Sequence, residues 1–148
     1  MVTKQGQAVH IFTDGGSRGN PGPSAAAAVA IRGGEEVESA SKYLGHATNN
    51  VAEYEGLLLA FAVARKMGLR RVEIRSDSEL LVRQWSGQYR VKNARLIPLF
   101  TKARKAAEAF EQVAVAHVRR EQNVPADALV NETLDRAASG YAGSRESS

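Results

Sequence analysis

Apolar residues along the chain fall into short runs and longer helical stripes, which turn residues separate. Short runs bounded by Gly or Pro clusters predict strands, and apolar positions three or four apart predict helices. The predicted strands span residues 7–14, 24–32, 35–44, 71–76 and 112–118. The predicted helices span residues 49–67, 77–86, 95–110 and 124–138. The order β-β-β-α-β-α-α-β-α indicates a mixed sheet with helices packed on it.

Turn and capping residues support several of these boundaries. Residues 15–23 are rich in Gly and Pro and predict a loop. The alanine-rich segment 24–32 is ambiguous by composition, but the hairpin signal Gly33-Gly34 favours a strand. Thr48 or Asn49 can cap the long helix. We therefore expect an antiparallel meander of the first three strands, and helical crossovers to the last two.

The chain of 148 residues fits one domain over 1–139, followed by a polar tail over 140–148 that we expect to be flexible. Its net charge of +4 mildly favours a polyanionic partner. Cysteine is absent, which excludes disulfides and thiolate metal sites. No segment has the apolar length of a membrane span, and Met1–Gly6 lacks the apolar stretch of a signal peptide. We expect a cytoplasmic monomer with no membrane partner.

Four carboxylates stand at the ends of predicted strands or near the starts of predicted helices. Asp14 and Asp77 each end an apolar strand. Glu53 shares the inward side of the long helix with Leu57, where a carboxylate needs a partner or an ion. Asp127 opens the last helix. If the two strands are neighbours, all four acids can converge at one edge of the sheet.

Converging carboxylates repel one another and need cations, and magnesium is a hard ion that takes oxygen ligands. Two magnesium ions about 4 Å apart could be held by such a cluster. One would activate water and the other would stabilise a leaving 3′ oxygen, so the expected reaction is phosphodiester hydrolysis by in-line displacement. A single acid at a strand end is more often a turn or cap residue, and the prediction depends on the four together.

The segments around these acids resemble ribonuclease H of type 1. They are FTDGGS (12–17), GNPGP (19–23), TNNVAEY (48–54), SDS (76–78) and ADALVN (126–131). The resemblance implies an α/β protein (α+β in some schemes) with a ribonuclease H-like fold, a five-stranded mixed sheet with helices on both faces. It also implies an endonuclease that cuts the RNA strand of RNA–DNA hybrids and leaves 5′-phosphate and 3′-hydroxyl ends. Magnesium, or manganese as a substitute, would be held by Asp14, Glu53, Asp77 and Asp127.

The resemblance also implies contacts with the nucleic acid. The matching positions are Gly15, Gly16, Asn20, Thr48, Asn49, Asn50 and Ser78. Amides and backbone N–H groups can bond 2′-hydroxyls and base edges in a shallow minor groove, and a 2′-hydroxyl contact distinguishes RNA from DNA. Glycines let a backbone approach a ribose closely. Turn and cap chemistry is the ordinary role of the same residues, and both roles can coexist.

The segment before the last acid departs from the best-known bacterial members, which carry a histidine in a flexible loop there. Here residues 117–123 are shorter, and His117 falls within a predicted strand, so we interpret it as structural. Arg120 or Glu121 is better placed to replace the loop histidine, in product release or in a phosphate contact. Asn131 shares a helix face with Asp127 and is either a support for it or a surface residue.

A basic, tryptophan-rich protrusion of those members is also largely absent, because residues 82–93 pass almost directly to the next helix. We interpret Trp85 as a core or half-buried anchor, although with Tyr89, Arg90 and Lys92 it could form a small stacking and phosphate-binding patch. Two alternatives to a hybrid-specific nuclease stay open. One is a related nuclease that also cuts double-stranded RNA, and the other is a catalytically silent hybrid-binding module. A pure binder gains nothing from an anionic cluster that faces phosphates.

Overall fold

The computed structural model describes residues 8–140 and 144–145. The strands are β1 (Val9–Ser17), β2 (Gly22–Arg32), β3 (Glu35–Ala47), β4 (Arg71–Ser76), β5 (Gln112–His117) and β6 (Ser144–Arg145). The helices are α1 (Asn49–Lys66), α2 (Glu79–Trp85), α3 (Leu96–Ala107) and α4 (Val124–Ala138), and a short 3₁₀ turn spans Arg120–Gln122. The predicted order of the first nine elements is confirmed.

The sheet has the strand order β5-β4-β1-β2-β3-β6. β1, β2 and β3 form the predicted antiparallel meander, while β4 is parallel to β1 and β5 is parallel to β4. The expected five-stranded mixed sheet is therefore confirmed. The two-residue strand β6 was not predicted and adds to the β3 edge. Residues 141–143 and 146–148 of the expected flexible tail lie outside the described residues.

The predicted loop over 15–23 is wrong at both ends. β1 continues through Asp14 to Ser17 and β2 begins at Gly22, so only residues 18–21 form the turn. Ser17 still pairs with Ser24 across the two strands, and the Arg18 N–H donates to the carbonyl of Pro23 at 2.8 Å. Glycines that suggested a loop instead allow close contacts between backbone segments. The predicted Gly33-Gly34 hairpin turn is confirmed, with positive φ at both glycines.

Strand β2 explains why an alanine-rich segment is a strand here. All residues from Ser24 to Ala30 are buried, because helices cover both faces of the sheet. Ala28 and Ala30 belong to the core under α1, while Ala25, Ala27 and Val29 pack with residues of α4. Small side chains let both helices approach the central strands, and this tertiary packing outweighs the helix propensity of alanine.

The two faces of the sheet carry separate cores. The larger core joins α1, α2 and α3 to the sheet and includes Tyr54, Leu57, Phe61 and Trp85. The smaller core lies under α4 and includes Leu129, Val130 and Leu134. Helices on both faces were expected and are confirmed. Within residues 8–140 and 144–145, none of the helices combines the length and the hydrophobicity needed to span a bilayer.

Candidate active site

Strands β1 and β4 bring two of the four acids together. They are parallel neighbours, and Thr13 of β1 lies opposite Ser76 of β4. Asp14 and Asp77 each follow one residue later, so their side chains leave the same edge of the sheet. The carboxyl ends of parallel strands are where open α/β sheets usually place their ligand sites.

Helix α1 brings Glu53 to Asp14 because two glycines let its backbone lie directly on the sheet. A Cβ on Gly15 would lie 2.1 Å from the backbone carbon of Ala52, and one on Gly56 would lie 2.7 Å from the carbonyl oxygen of Asp14. Neither position can hold a larger residue without moving the helix. The close contact sets Glu53, one residue after Ala52, beside the end of β1.

Helix α4 supplies the fourth acid through an anchor at its start. Asn123 is fully buried, and its Nδ2 donates to the Thr13 carbonyl at 2.8 Å. The Asn123 carbonyl in turn accepts the N–H of Asp127 at 3.1 Å in the first turn of the helix. The hydrogen bond to β1 therefore places Asp127 close to Asp14, and the Asp127 carboxylate is one of the groups that raise the pKa of Asp14.

Three of the four acids form one cluster, and Asp127 adjoins it. Carboxylate oxygens of Asp14, Glu53 and Asp77 all lie within 4.8 Å of one another. Asp14 is almost completely buried, with 7% of its surface exposed, while Glu53, Asp77 and Asp127 are half-buried. The cluster borders a cleft of about 320 Å³. That cleft is also lined by Arg18, Asn49, Arg120 and Asn131.

Crowding of the acids changes their proton affinity. The pKa of Asp14 is raised to about 7, by burial first and then by the Asp77 and Asp127 carboxylates, while the Gly15 N–H, 2.9 Å from Oδ1, opposes the shift. The pKa of Glu53 is raised well above its usual range by burial first, and then by the negative charges of Asp14 and Asp77. The positive charge of Arg120 acts in the opposite direction on Glu53. Without a cation, the cluster therefore favours bound protons.

The donor set fits a hard divalent cation. Oε1 of Glu53 and Oδ2 of Asp77 are buried and have no hydrogen-bond partner among the residues that the structure describes. A buried carboxylate oxygen without a donor is costly, and an oxygen-preferring metal would satisfy it. Asp14, Glu53 and Asp77 are close enough to share an ion, and Asp127 adjoins Asp14. These residues could hold a divalent cation.

Several predicted substrate contacts lie around this cleft and also hold local structure. Oδ1 of Asn49 accepts the N–H of Ser17 at 2.8 Å, and Oδ1 of Asn20 accepts the N–H of Asn49 at 3.0 Å. Thr48 caps α1, since its Oγ1 accepts the N–H of Val51 at 3.2 Å. These bonds connect the β1–β2 turn to the start of α1.

The remaining predicted contacts are placed as follows. Ser78 caps α2 through its Oγ, which accepts the N–H of Leu81 at 3.2 Å. Asn50 is exposed and lines a polar pocket of about 410 Å³ beside Thr48, with Asn93 and Arg95 on its other side. Contact of any of these residues with nucleic acid stays a prediction.

The two glycines after Asp14 have different packing roles. Gly15 is required for the approach of α1, whereas a Cβ on Gly16 would lie 3.6 Å from Cγ1 of Val130, an ordinary contact. Both glycines belong to β1 and not to a tight turn. Their predicted approach to a ribose is a separate matter and stays a prediction.

The two proposed replacements for the loop histidine both lie in the 3₁₀ turn before α4, but in different surroundings. Arg120 lines the cleft and its charge acts on Glu53. Glu121 is exposed and is not part of the cleft lining. His117 lies in β5, as predicted, but is its last residue, one position before the predicted end, and it is exposed next to Glu79, whose pKa it helps to lower after the larger effects of Arg83. The geometry favours Arg120.

Trp85 is confirmed as a core anchor. It is 8% exposed, its ring lies 5.9 Å from that of Phe61 and 6.2 Å from that of Phe100, and the guanidinium of Arg104 stacks 3.9 Å above it. Tyr89 is 49% exposed, and the Arg83 guanidinium lies 5.4 Å from its ring centroid. Of the predicted aromatic patch, the exposed tyrosine is therefore the stacking surface that remains.

Comparison with known proteins identifies the family. A family model described as reverse transcriptase-like matches residues 12–133. Ribonuclease HI of Halobacterium salinarum is 40% identical over 134 residues, which cover 90% of this chain and 67% of the relative. The chain belongs to the type 1 ribonuclease H family. As a member it is a ribonuclease H, a nuclease of the hydrolase class.

Solved ribonucleases H share the fold. The N-terminal RNase H domain of Mycobacterium tuberculosis Rv2228c, solved as a fusion with maltose binding protein, is 39% identical with a TM-score of 0.84, over 89% of this chain and 96% of that one. LC11-RNase H1 in complex with an RNA/DNA hybrid is 40% identical with a TM-score of 0.83, over 88% of this chain and 99% of that one. This chain spans 37% of the whole bifunctional protein Rv2228c.

Sequence reasoning missed three residues that build the site. Asn123 was expected only within the segment before the last helix, although an Asn two residues before Pro125 signals a helix start. Gly56 lies inside a helical pattern, where an isolated glycine indicates close packing. Arg18 was counted in the loop, yet it lines the cleft and hydrogen-bonds α4. Asn131 donates to the Asp127 backbone carbonyl at 3.1 Å and not to its carboxylate.

Proposed function

We propose that this chain is an endonuclease that hydrolyses the RNA strand of RNA–DNA hybrids with two divalent ions, magnesium by preference and manganese as a substitute. The products would carry 5′-phosphate and 3′-hydroxyl ends. The observation that carries the proposal is the convergence of Asp14, Glu53 and Asp77, whose oxygens lie within 4.8 Å. The hybrid complex of LC11-RNase H1, a relative at 40% identity, supports the choice of substrate.

The acids would hold the ions, which when bound supply an activated water and a counter-charge for the leaving oxygen. The chain itself supplies placement. The register of β1 and β4 fixes Asp14 and Asp77, and the packing of α1 on Gly15 fixes Glu53. Because these groups are set by the sheet and a helix rather than by loops, they change little when a substrate arrives.

Two asparagine amides near the cleft are suited to reading a nucleic acid. Asn49 and Asn20 each use Oδ1 to accept a backbone N–H. Each amide is thereby oriented, and its Nδ2 group is left to donate to a 2′-hydroxyl or a base edge. The polar pocket between Thr48, Asn50 and Asn93 offers further donors on the same side of the protein. Phosphates of the hybrid would lie against it.

Arg120 would contact a phosphate near the cut or assist product departure. It lines the cleft, and a guanidinium can bind phosphate oxygens through two donors at once.

One assay distinguishes this proposal from its two alternatives, a nuclease that also cuts double-stranded RNA and a silent hybrid-binding module. A cytoplasmic location and a monomeric state are also proposed.

The test is cleavage of an end-labelled RNA–DNA hybrid beside duplex RNA and duplex DNA, with magnesium, with manganese and with EDTA. The proposal expects RNA-strand cutting of the hybrid with either ion and none in EDTA, with newly formed 5′-phosphates. Equal cutting of duplex RNA would favour the broader nuclease. Tight hybrid binding without any cutting in magnesium or manganese would favour the binding module.

A further inference from the structure

Arg18 is held at the cleft from two sides. Its backbone N–H donates to the Pro23 carbonyl at 2.8 Å, and a Cβ on Gly22 would lie 2.1 Å from the Arg18 carbonyl oxygen. The turn after β1 is thus closed tightly around this residue. Its side chain crosses to α4, where Nη2 donates to Asp135 at 2.8 Å and to Asn131 at 3.3 Å.

This arrangement gives little stability. The ion pair joins side chains that are 45% and 69% exposed, where solvent and salt weaken the attraction between the charges. It does, however, restrict the long arginine side chain. Both hydrogen bonds use Nη2, so Nε and Nη1 keep the geometry to donate elsewhere. A guanidinium oriented in this way loses less conformational entropy when it binds an anion.

The position of Arg18 defines the anion it could meet. It lines the same cleft as Asp14, Glu53 and Asp127, with Arg120 also in the lining. A free anion would be repelled by the acids, whereas a nucleic-acid strand whose scissile phosphate lies over metal ions presents its next phosphates to the sides of the cleft. Phosphate oxygens are the acceptors that arginine binds best.

We infer that Arg18 is a substrate-binding residue, which contacts a backbone phosphate of the hybrid strand next to the cut and is positioned by Asp135 and Asn131. The inference rests on the proposed function. A phosphate contact is electrostatic and independent of sequence, so it has a signature in salt dependence that a structural ion pair does not have. Each phosphate contact contributes about 0.9 to the slope of log affinity against log salt.

The experiment measures binding of a fluorescein-labelled RNA–DNA hybrid in the non-cutting Asp77→Asn background, with Arg18→Ala, Arg18→Lys and the control Arg70→Ala. Arg70 pairs with Glu111 at the opposite end of β4; it matches Arg18 in charge and in having an acidic partner, and its side chain is more exposed, 84% against 45%. For Arg18→Ala, the slope of log affinity against log salt should be smaller in magnitude by about 0.9. The ratio of parent affinity to variant affinity should therefore shrink about threefold between 50 and 200 mM salt. Arg18→Lys should keep the salt slope of the parent but bind the hybrid more weakly. Arg70→Ala should leave the slope and the affinity unchanged.

Cleavage by the same variants with Asp77 intact completes the test. Arg18→Ala should raise KM and change kcat little, because the lost contact is made in ground state and transition state alike. The inference would be overturned if Arg18→Ala had the same salt slope as Arg70→Ala, or if it lost thermal stability with no change in slope. Hybrid cutting by the parent chain would still uphold the proposed function in that case. A parent chain that neither binds nor cuts the hybrid would overturn both.

Discussion

Asp14 and Asp77 stand side by side because each lies one residue beyond the same register pair of two parallel strands, Thr13 and Ser76. Their separation is therefore fixed by main-chain hydrogen bonds and not by side-chain attraction. Two like charges would otherwise move apart, and their mutual repulsion contributes to the raised pKa of Asp14. The sheet holds the acids in an arrangement that is unfavourable until a cation binds.

Replacing one of these carboxylates by an amide should separate stability from activity. Asp77→Asn and Glu53→Gln should each abolish hybrid cutting, because a neutral ligand holds a divalent ion poorly. Both variants should melt at a higher temperature than the parent in EDTA, since an amide carries neither the repulsive charge of a crowded carboxylate nor the free-energy cost of protonating it. Circular dichroism melts and the cleavage assay measure the two effects. The control is Glu108→Gln, the same kind of carboxylate-to-amide substitution at an exposed residue at the end of α3, and it should change neither the melting temperature nor the cutting. Cutting by Asp77→Asn at the rate of the parent would contradict the metal site.

The stability of the metal-free protein should fall as pH rises. An ordinary aspartate, as in the unfolded chain, has a pKa of 3.8, whereas the pKa of Asp14 in the fold is about 7. At pH values between the two, the folded state therefore binds more protons than the unfolded state. Stability is then greatest below about pH 4 for this group, and declines as pH increases through 7. Melting temperatures in EDTA from pH 5 to pH 8 measure the decline.

Two comparisons sharpen the pH prediction. Asp14→Asn should show a flatter profile, because it has no proton to lose. Saturating magnesium should raise the melting temperature of the parent most at pH 8, where the acids are ionised and bind the ion best. A parent profile that rises between pH 5 and pH 8 in EDTA would contradict the assigned direction.

The order of elements could be read from the sequence because hydrophobic runs and turn signals agree for most of them. β4 was predicted with its observed bounds, and α4 likewise. The four acids were found because their motifs lie next to those signals. The β1–β2 turn was misjudged for a physical reason: Gly15 serves a contact with the distant backbone of α1, and local sequence cannot distinguish such a glycine from a turn glycine.

Contacts between elements that are far apart in the chain explain the other omissions. The hydrogen bond from Asn123 to Thr13 joins residues 110 positions apart, and the ion pair of Arg18 with Asp135 joins residues 117 positions apart. A single sequence contains no periodicity that reports such pairs. The sequence can suggest that Asn123 precedes a helix, but the buried contact of its side chain with β1 depends on the final packing of α4.

Gly15 and Gly16 allow a matched test of helix packing. Gly15→Ala places a methyl group 2.1 Å from the α1 backbone, so it should destabilise the protein by about 3 kcal/mol and displace Glu53 from the cluster. Hybrid cutting should fall sharply even at temperatures where the variant is folded. Gly16→Ala adds the same methyl group at an ordinary contact distance and should stay close to the parent in stability. Denaturant unfolding and cleavage rates measure both variants, and equal effects would contradict the packing role of Gly15.

Asn123 offers the last test, because one hydrogen bond joins the start of α4 to the strand that carries Asp14. Asn123→Ala removes the donor to the Thr13 carbonyl and should cost about 1–3 kcal/mol. Asn123→Asp should be worse, since a carboxylate cannot donate to that carbonyl and adds a buried negative charge near the acids. Turnover should fall in the same order, because Asp127 is placed by this anchor.

The amide-to-acid control is Gln112→Glu, which changes an exposed residue at the far end of β5. It should leave unfolding free energy and turnover near those of the parent. Urea unfolding at pH 7 ranks the three variants, and single-turnover cleavage of the hybrid reports the placement of Asp127. If Asn123→Asp were as stable as the control, the buried amide could not be donating to Thr13, and another contact would have to hold α4 against the sheet.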